Sequence, residues 1–141
     1  MEEILNLIKQ KASAYKTEVV EIRRYLHQNP ELSFKEFETS KYVCSKLDEY
    51  GIEYKGGYVK TGIIGLIKGN NPTKKVVALR ADLDALPIKE ENDVSYKSIN
   101  NGIMHACGHD VHTSSLLGAA KILNELRNKF EGTIKLIFQP G

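Results

Sequence analysis

Three of the chain's four histidines and one of its two cysteines fall within the stretch Met104-His105-Ala106-Cys107-Gly108-His109-Asp110-Val111-His112-Thr113. Cys107 and His109 are separated by a single glycine, so a thiolate and an imidazole can turn toward one point. Both are borderline-soft ligands suited to zinc and to first-row ions such as Mn, Co or Ni. The stretch is a candidate metal site. The competing reading is a loop that is histidine-rich by accident, because short motifs match by chance. A second acidic motif upstream weighs against that reading. Asp82 and Asp84 lie two apart in Arg80-Ala81-Asp82-Leu83-Asp84-Ala85-Leu86-Pro87, and in extended backbone such residues face the same way. Neighbouring like charges are unfavourable unless a cation or hydrogen bonds compensate. On its own a D-x-D is more simply a solvated turn. Placed after a strand and beside a Cys/His cluster, it becomes the second half of a site.

The elements that must position these groups can be read from periodicity. Ile4, Ile8, Ala12, Tyr15, Val19, Ile22 and Leu26 recur at steps of three and four, one stripe of a long amphipathic helix. Pro30 ends it at or before Asn29. His27 then sits at a helix C-terminus and reads as a structural histidine rather than a ligand. Ser33-Phe34-Lys35-Glu36 has the form of a capping box, predicting a second helix from about Phe34 to Tyr50. Phe37, Ser40, Cys44 and Leu47 would line its inner face, and Gly51 would stop it. Short β-like runs follow at Ile52–Lys55, Gly62–Lys68 and Lys75–Arg80, the first two close enough for an antiparallel hairpin. Val76-Val77-Ala78-Leu79 reads as a strand buried on both faces, and functional groups gather beyond the carboxyl ends of such strands. Residues 88–103 are polar and aperiodic, a long surface loop. Asp110 or Thr113 would cap a third helix reaching about Lys129, with Leu116, Ala119, Leu123, Leu126 and Phe130 on one side. Thr133–Phe138 is the last strand. The order implies an α/β fold, a mixed sheet flanked by helices.

Composition excludes several classes of function. Hydrophobic content of 41% and charged content of 27% match a folded globular domain. A net charge of +2 without a basic stripe argues against nucleic acid as a partner. No apolar run approaches membrane-spanning length, and Glu2 and Glu3 stand where a signal peptide would be basic. Cys44 and Cys107 are too few for a disulfide framework, so a cytoplasmic protein with reduced thiols is expected. A cysteine hydrolase built on Cys107 with His109 or His112 is disfavoured, since nucleophile and base usually come from separate elements. A zinc deaminase would need H-x-E and P-C-x-x-C, which are absent.

Four segments together resemble the M20 metallopeptidase family. They are Arg23-Arg24-Tyr25-Leu26-His27-Gln28-Asn29-Pro30-Glu31-Leu32-Ser33, then residues 80–87, then residues 104–113, then Phe138-Gln139-Pro140-Gly141. The match is to the family's amidohydrolase branch, which includes N-acyl-L-amino acid amidohydrolases, hippurate hydrolases, N-acetyldiaminopimelate deacetylases and plant auxin-conjugate hydrolases. The resemblance implies a zinc-peptidase-like catalytic domain with two divalent ions (Zn, Mn, Co or Ni). It places Cys107 and His109 as metal ligands and Asp82 and Asp84 in the catalytic acidic motif. Divergent relatives carry H-x-D there. On that alignment Asp84 would orient a ligand, and Asp82 would stand where the ligand is. His105, Asp110 and His112 are implied as partners of the ligands or as substrate contacts. The implied substrate is a small N-acyl amino acid, with no nucleic acid or membrane partner, and the full-length form is compatible with a homodimer. In the family a Glu-Glu pair, supplying general base and ligand, follows the P-G, with later histidines and a lid or dimerisation domain. Residues 1–141 therefore resemble the N-terminal portion of the catalytic domain. Without the general base, rate falls by a factor of about a hundred to ten thousand. Little or no activity and weak metal binding are expected of these residues alone, together with an exposed sheet edge.

Overall fold

The computed structural model describes residues 2–141. Helix α1 spans Glu2–Gln28, α2 Phe37–Glu49 and α3 His109–Glu125. Strands β1 (Glu53–Tyr58), β2 (Gly62–Lys68), β3 (Val76–Asp82) and β4 (Thr133–Gln139) form one sheet in the order β1-β2-β4-β3. The β1–β2 hairpin and the β2–β4 pair are antiparallel, while β3 and β4 run parallel. The expected mixed α/β sheet is what forms.

Register decides which face meets the helices. Ile63 pairs with Phe138, and Phe138 with Ala81, so one row crosses three strands. These side chains are buried with Ile67 and Leu136 against Ile22 and Leu26 of α1, Val43 and Leu47 of α2, and Leu117 and Ala120 of α3. Each large one contributes on the order of 1.5–3 kcal/mol. Helices α1 and α3 run antiparallel, with Lys11 bonded to Glu125 at one end and His27 to Asp110 at the other. Gly118 permits their close approach, because a Cβ there would lie 2.6 Å from Val19 Cγ2.

Three local expectations are corrected. The second helix begins at Phe37 rather than Phe34, and no side chain caps it. Glu36 turns inward instead, and the buried face is Thr39, Val43 and Leu47, with Phe37 exposed and Cys44 packed at the edge of the core. Gly51 does stop the helix, at φ +65°. Strand β3 is not buried on both faces: it has β4 as its one partner among the described residues, and Val76 and Val77 are 59% and 42% exposed. An apolar run can reflect a sheet position that these residues do not cover, and its open edge is a template for association. The third helix ends at Glu125, followed by a 3₁₀ turn at Arg127–Lys129. It opens on Gly108, with φ +93°, rather than on a capping Asp110 or Thr113.

Candidate metal centre

The carboxyl end of β3 and the first turn of α3 meet. Gly108 lets the chain leave residues 104–107 and enter the helix directly, and its carbonyl accepts the Val111 and His112 N–H groups. His109 and His112, three apart, therefore share one helix face. Thr113 Oγ1 donates to the Asp82 carbonyl at 2.8 Å, fixing α3 to the strand end.

Asp84 is the organising acid. His109 Nδ1 lies 2.9 Å from both Asp84 Oδ1 and the Asp84 carbonyl oxygen. An Nδ1–H donating to both acceptors leaves Nε2 as the free ligand atom, the usual way a carboxylate sets the tautomer and direction of a ligating histidine. Asp84 is itself held, since Ser33 Oγ donates to its Oδ2 at 2.8 Å. The Ala85 N–H donates to the Glu31 carbonyl at 2.8 Å, anchoring the same segment to the loop after α1.

Asp82 faces the same turn. Its carboxylate lies 3.6 Å from His112 Nδ1 and 3.3 Å from Arg80 Nη2. One ligand atom each from Asp82, His109 and His112 lie within 4.8 Å of one another. That donor set suits a divalent first-row cation, with small rotations to close the shell. Cys107 is exposed and lies outside this trio, and the described residues supply no comparable set for a second ion. The positive end of the α3 dipole opposes a cation, but it amounts to about half a charge, against the full charges of Asp82 and Asp84.

His105 and Asp110 sit behind the turn. His105 is 5% exposed, and neither ring nitrogen has a hydrogen-bond partner. Burial pushes its pKa down to about 4, against the pull of Asp110, with His27 and His109 adding to the fall. The imidazole is neutral at pH 7. Asp110 is 1% exposed; one oxygen accepts the Val111 N–H, and the other meets His27 and Arg23. The backbone pair Leu86–Met104 closes the base of the 88–103 loop with two 3.0 Å hydrogen bonds.

The structure brings Asp82 and Asp84 to His109 and His112, and leaves Cys107 outside that group and His105 behind the turn. Ser33, Glu36, Arg23, His27 and Glu90 were not singled out as site residues. The contacts that tie them to the site, Ser33 to Asp84, Glu36 to Thr61, and Arg23, His27 and Glu90 through Asp110, join residues tens of positions apart, which local spacing does not reveal.

Residues 78–141 match the family model described as Peptidase family M20/M25/M40. The chain is 46% identical to the N-acyl-L-amino acid amidohydrolase of Geobacillus stearothermophilus over 132 residues, 94% of this chain and 35% of that protein. It is 48% identical to the N-acetyl-L-cysteine deacetylase of Bacillus subtilis over 129 residues, 92% of this chain and 31% of the relative. The crystal structure of the Bacillus subtilis YXEP protein, a dinuclear metal-binding peptidase, superposes with a TM-score of 0.87 at 46% identity. That alignment covers 92% of this chain and 36% of that one. The chain spans about a third of the length of the curated relatives it matches.

Proposed function

We propose that the chain belongs to the M20 peptidase family and is the N-terminal portion of the catalytic domain of a metal-dependent amidohydrolase that cleaves N-acyl amino acids. The observation that carries the reading is the Asp84–His109 contact, with Ser33 behind it, which leaves one imidazole nitrogen free at the carboxyl end of a strand. Cys107 and His109 are assigned as metal ligands. Asp84 orients His109, and Asp82 stands where the H-x-D relatives would carry a ligand. Asp110 and His105 support the turn from behind, and His112 faces the site as a partner of the ligands or a substrate contact. Divalent ions held there would polarise the scissile carbonyl and acidify a water. Asp82 and Asp84 hold the negative charge that draws the ions in, and the 88–103 loop supplies groups on the substrate side.

Zn, Mn, Co or Ni all suit this donor chemistry. We assign the remaining ligands, the general base and a lid or dimerisation domain, with a homodimer of the full-length form, to the part of the longer protein outside these residues. We place the protein in the cytoplasm, a reading supported by its two free cysteines. No helix among the described residues is long and apolar enough to cross a membrane. A second reading, a non-catalytic domain or split-protein partner that binds metal weakly, is favoured for the 141 residues taken alone. Asp82, His109 and His112 form one three-donor set, Cys107 lies outside it, and the described residues supply no comparable set for a second ion.

Elemental analysis of the purified chain and its Cys107→Ala variant, with turnover of N-acetyl and N-benzoyl amino acids, separates these readings. Substoichiometric metal and no turnover are expected of the chain alone. Metal-dependent turnover is expected of a longer product carrying the same sequence, and should vanish with Cys107→Ala. A longer product that binds metal but leaves both substrate classes intact would overturn the amidohydrolase reading. Full turnover by the 141 residues would overturn the assignment of missing ligands.

A further inference from the structure

Arg23, His27, Glu90 and Asp110 form a cluster that the site chemistry above does not use. His27 is 3% exposed in the last turn of α1, Glu90 is 4% exposed and Asp110 1%. His27 Nδ1 lies 2.7 Å from Asp110 Oδ2, and Nε2 lies 2.9 Å from Glu90 Oε1. A neutral imidazole has one N–H and one lone pair. It could donate to one carboxylate but would set its lone pair against the other. The imidazolium donates to both. Arg23 Nε reaches the same Asp110 oxygen at 2.9 Å. The 3.2 Å approach of Arg23 Nη2 to His27 Nδ1 follows from two donors converging on one acceptor. Two cations then balance two anions, and the cluster carries no uncompensated buried charge.

Each arm lands on a different segment. Asp110 is the residue after His109, in the first turn of α3. Glu90 also accepts the Ser98 N–H at 2.7 Å and Asn92 Nδ2 at 3.2 Å, which shapes residues 90–98. Ile99 N–H donates to the Gln28 carbonyl and Asn100 Nδ2 to the Pro30 carbonyl, laying the loop along the end of α1. Tyr96 packs edge-on to His27 at 5.7 Å, with Arg23 and Arg24 over its ring at 5.1 and 5.0 Å.

We propose that the buried His27 is a positioning residue that donates from both ring nitrogens, tying the Cys107-Gly108-His109 turn and the 88–103 loop to the end of α1. The positioning role rests on reading that turn as metal-bearing. The charged and titratable groups facing His27 are Arg23 and Arg24 from α1, Glu90 and Tyr96 from the loop, Asp110 from α3, and His105 from the preceding turn. Of these, the two carboxylates are in direct contact with its ring nitrogens.

Side-chain ¹H–¹⁵N spectra of the labelled full chain test the charge directly. Both His27 nitrogens should carry a proton, as double donation requires, and a pyridine-like nitrogen would overturn the proposal. Amide exchange tests the positioning. His27→Gln and Glu90→Gln should each speed exchange about tenfold or more within residues 88–112, with β2 and β4 unchanged, since charged hydrogen bonds are being removed. Ile22→Val, a packing change on the same helix, should loosen the core without that regional pattern. A matching pattern in Ile22→Val, or no change in the Gln variants, would overturn it. Should His27→Gln fail to fold, Glu90→Gln carries the exchange test. Neither readout uses metal or turnover, so failure here is distinguishable from failure of the hydrolase reading.

Discussion

Truncating Glu36 should be among the most damaging single changes in this chain. The side chain is fully buried. Its Oε1 accepts the Phe34 N–H at 2.9 Å and the Gly141 N–H at 3.1 Å, and its Oε2 accepts the Thr61 hydroxyl at 2.7 Å. Phe34 adopts a left-handed φ of 60°, which costs a non-glycine residue about 1 kcal/mol or more and persists only when neighbours enforce it. The turn so held places Ser33 Oγ on Asp84, and through Asp84 it orients His109. Glu36→Ala strands three donors, each worth about 1–3 kcal/mol when left unpaired. Relief from desolvating the carboxyl offsets part of this, leaving a net loss of about 3 kcal/mol. At roughly 4 °C per kcal/mol for a domain of this size, Tm should fall by about 12 °C. Glu36→Gln keeps an acceptor for the two amides, and the Thr61 hydroxyl can rotate to accept from the new NH₂. Its loss should be about 1 kcal/mol. Thermal and urea unfolding followed by far-UV circular dichroism would read both. Equal losses in the two variants, or none in Glu36→Ala, would refute the claim that unpaired donors set the penalty.

The pH dependence should carry the signature of Glu90. Burial pushes its carboxyl up, but the Ser98 N–H, His27 and Asn92 outweigh it and bring the pKa down to about 2. A depressed carboxyl stabilises the fold above its unfolded value, near 4.5, and that contribution disappears as pH falls toward 2. Up to about 3 kcal/mol is at stake, so urea midpoints should drop between pH 4.5 and 2 in the native chain and more shallowly in Glu90→Gln; parallel curves would refute it. The two glycines Gly51 and Gly132 should respond differently to alanine. Both have positive φ, +65° and +97°, but a Cβ at Gly51 meets open space whereas at Gly132 it falls 2.4 Å from the Lys75 carbonyl oxygen. Gly51→Ala should lose about 1–2 kcal/mol from backbone strain, and Gly132→Ala about twice that, because backbone must move as well. Equal shifts in Tm would show that the steric contact is relieved without strain.

Much was legible in the chain itself. The strand bounds of β2 and β4 follow from apolar runs between glycine-marked turns, and α1 from a stripe repeated over seven positions. The D-x-D and C-G-H motifs suggest a metal-type site because their chemistry is local (ligand types, spacing and a glycine between them), although Cys107 lies outside the trio that the fold gathers. Tertiary structure decided what those motifs touch. Asp82 joins His109 and His112 only because β3 ends where α3 begins. The pattern Ser33-x-x-Glu36 is a valid capping box in sequence, but Glu36 found Thr61 and the Gly141 N–H and turned inward, while Ser33 went to Asp84. Val76 and Val77 read as buried, yet sheet order leaves β3 at an edge. His27 read as an ordinary helix-end residue, and nothing near it in the chain says otherwise. Its two carboxylates lie 63 and 83 residues away. Local spacing encodes which chemistry a segment can perform. The partner that fixes a buried charge is set by which elements pack together, and that is a property of the whole fold.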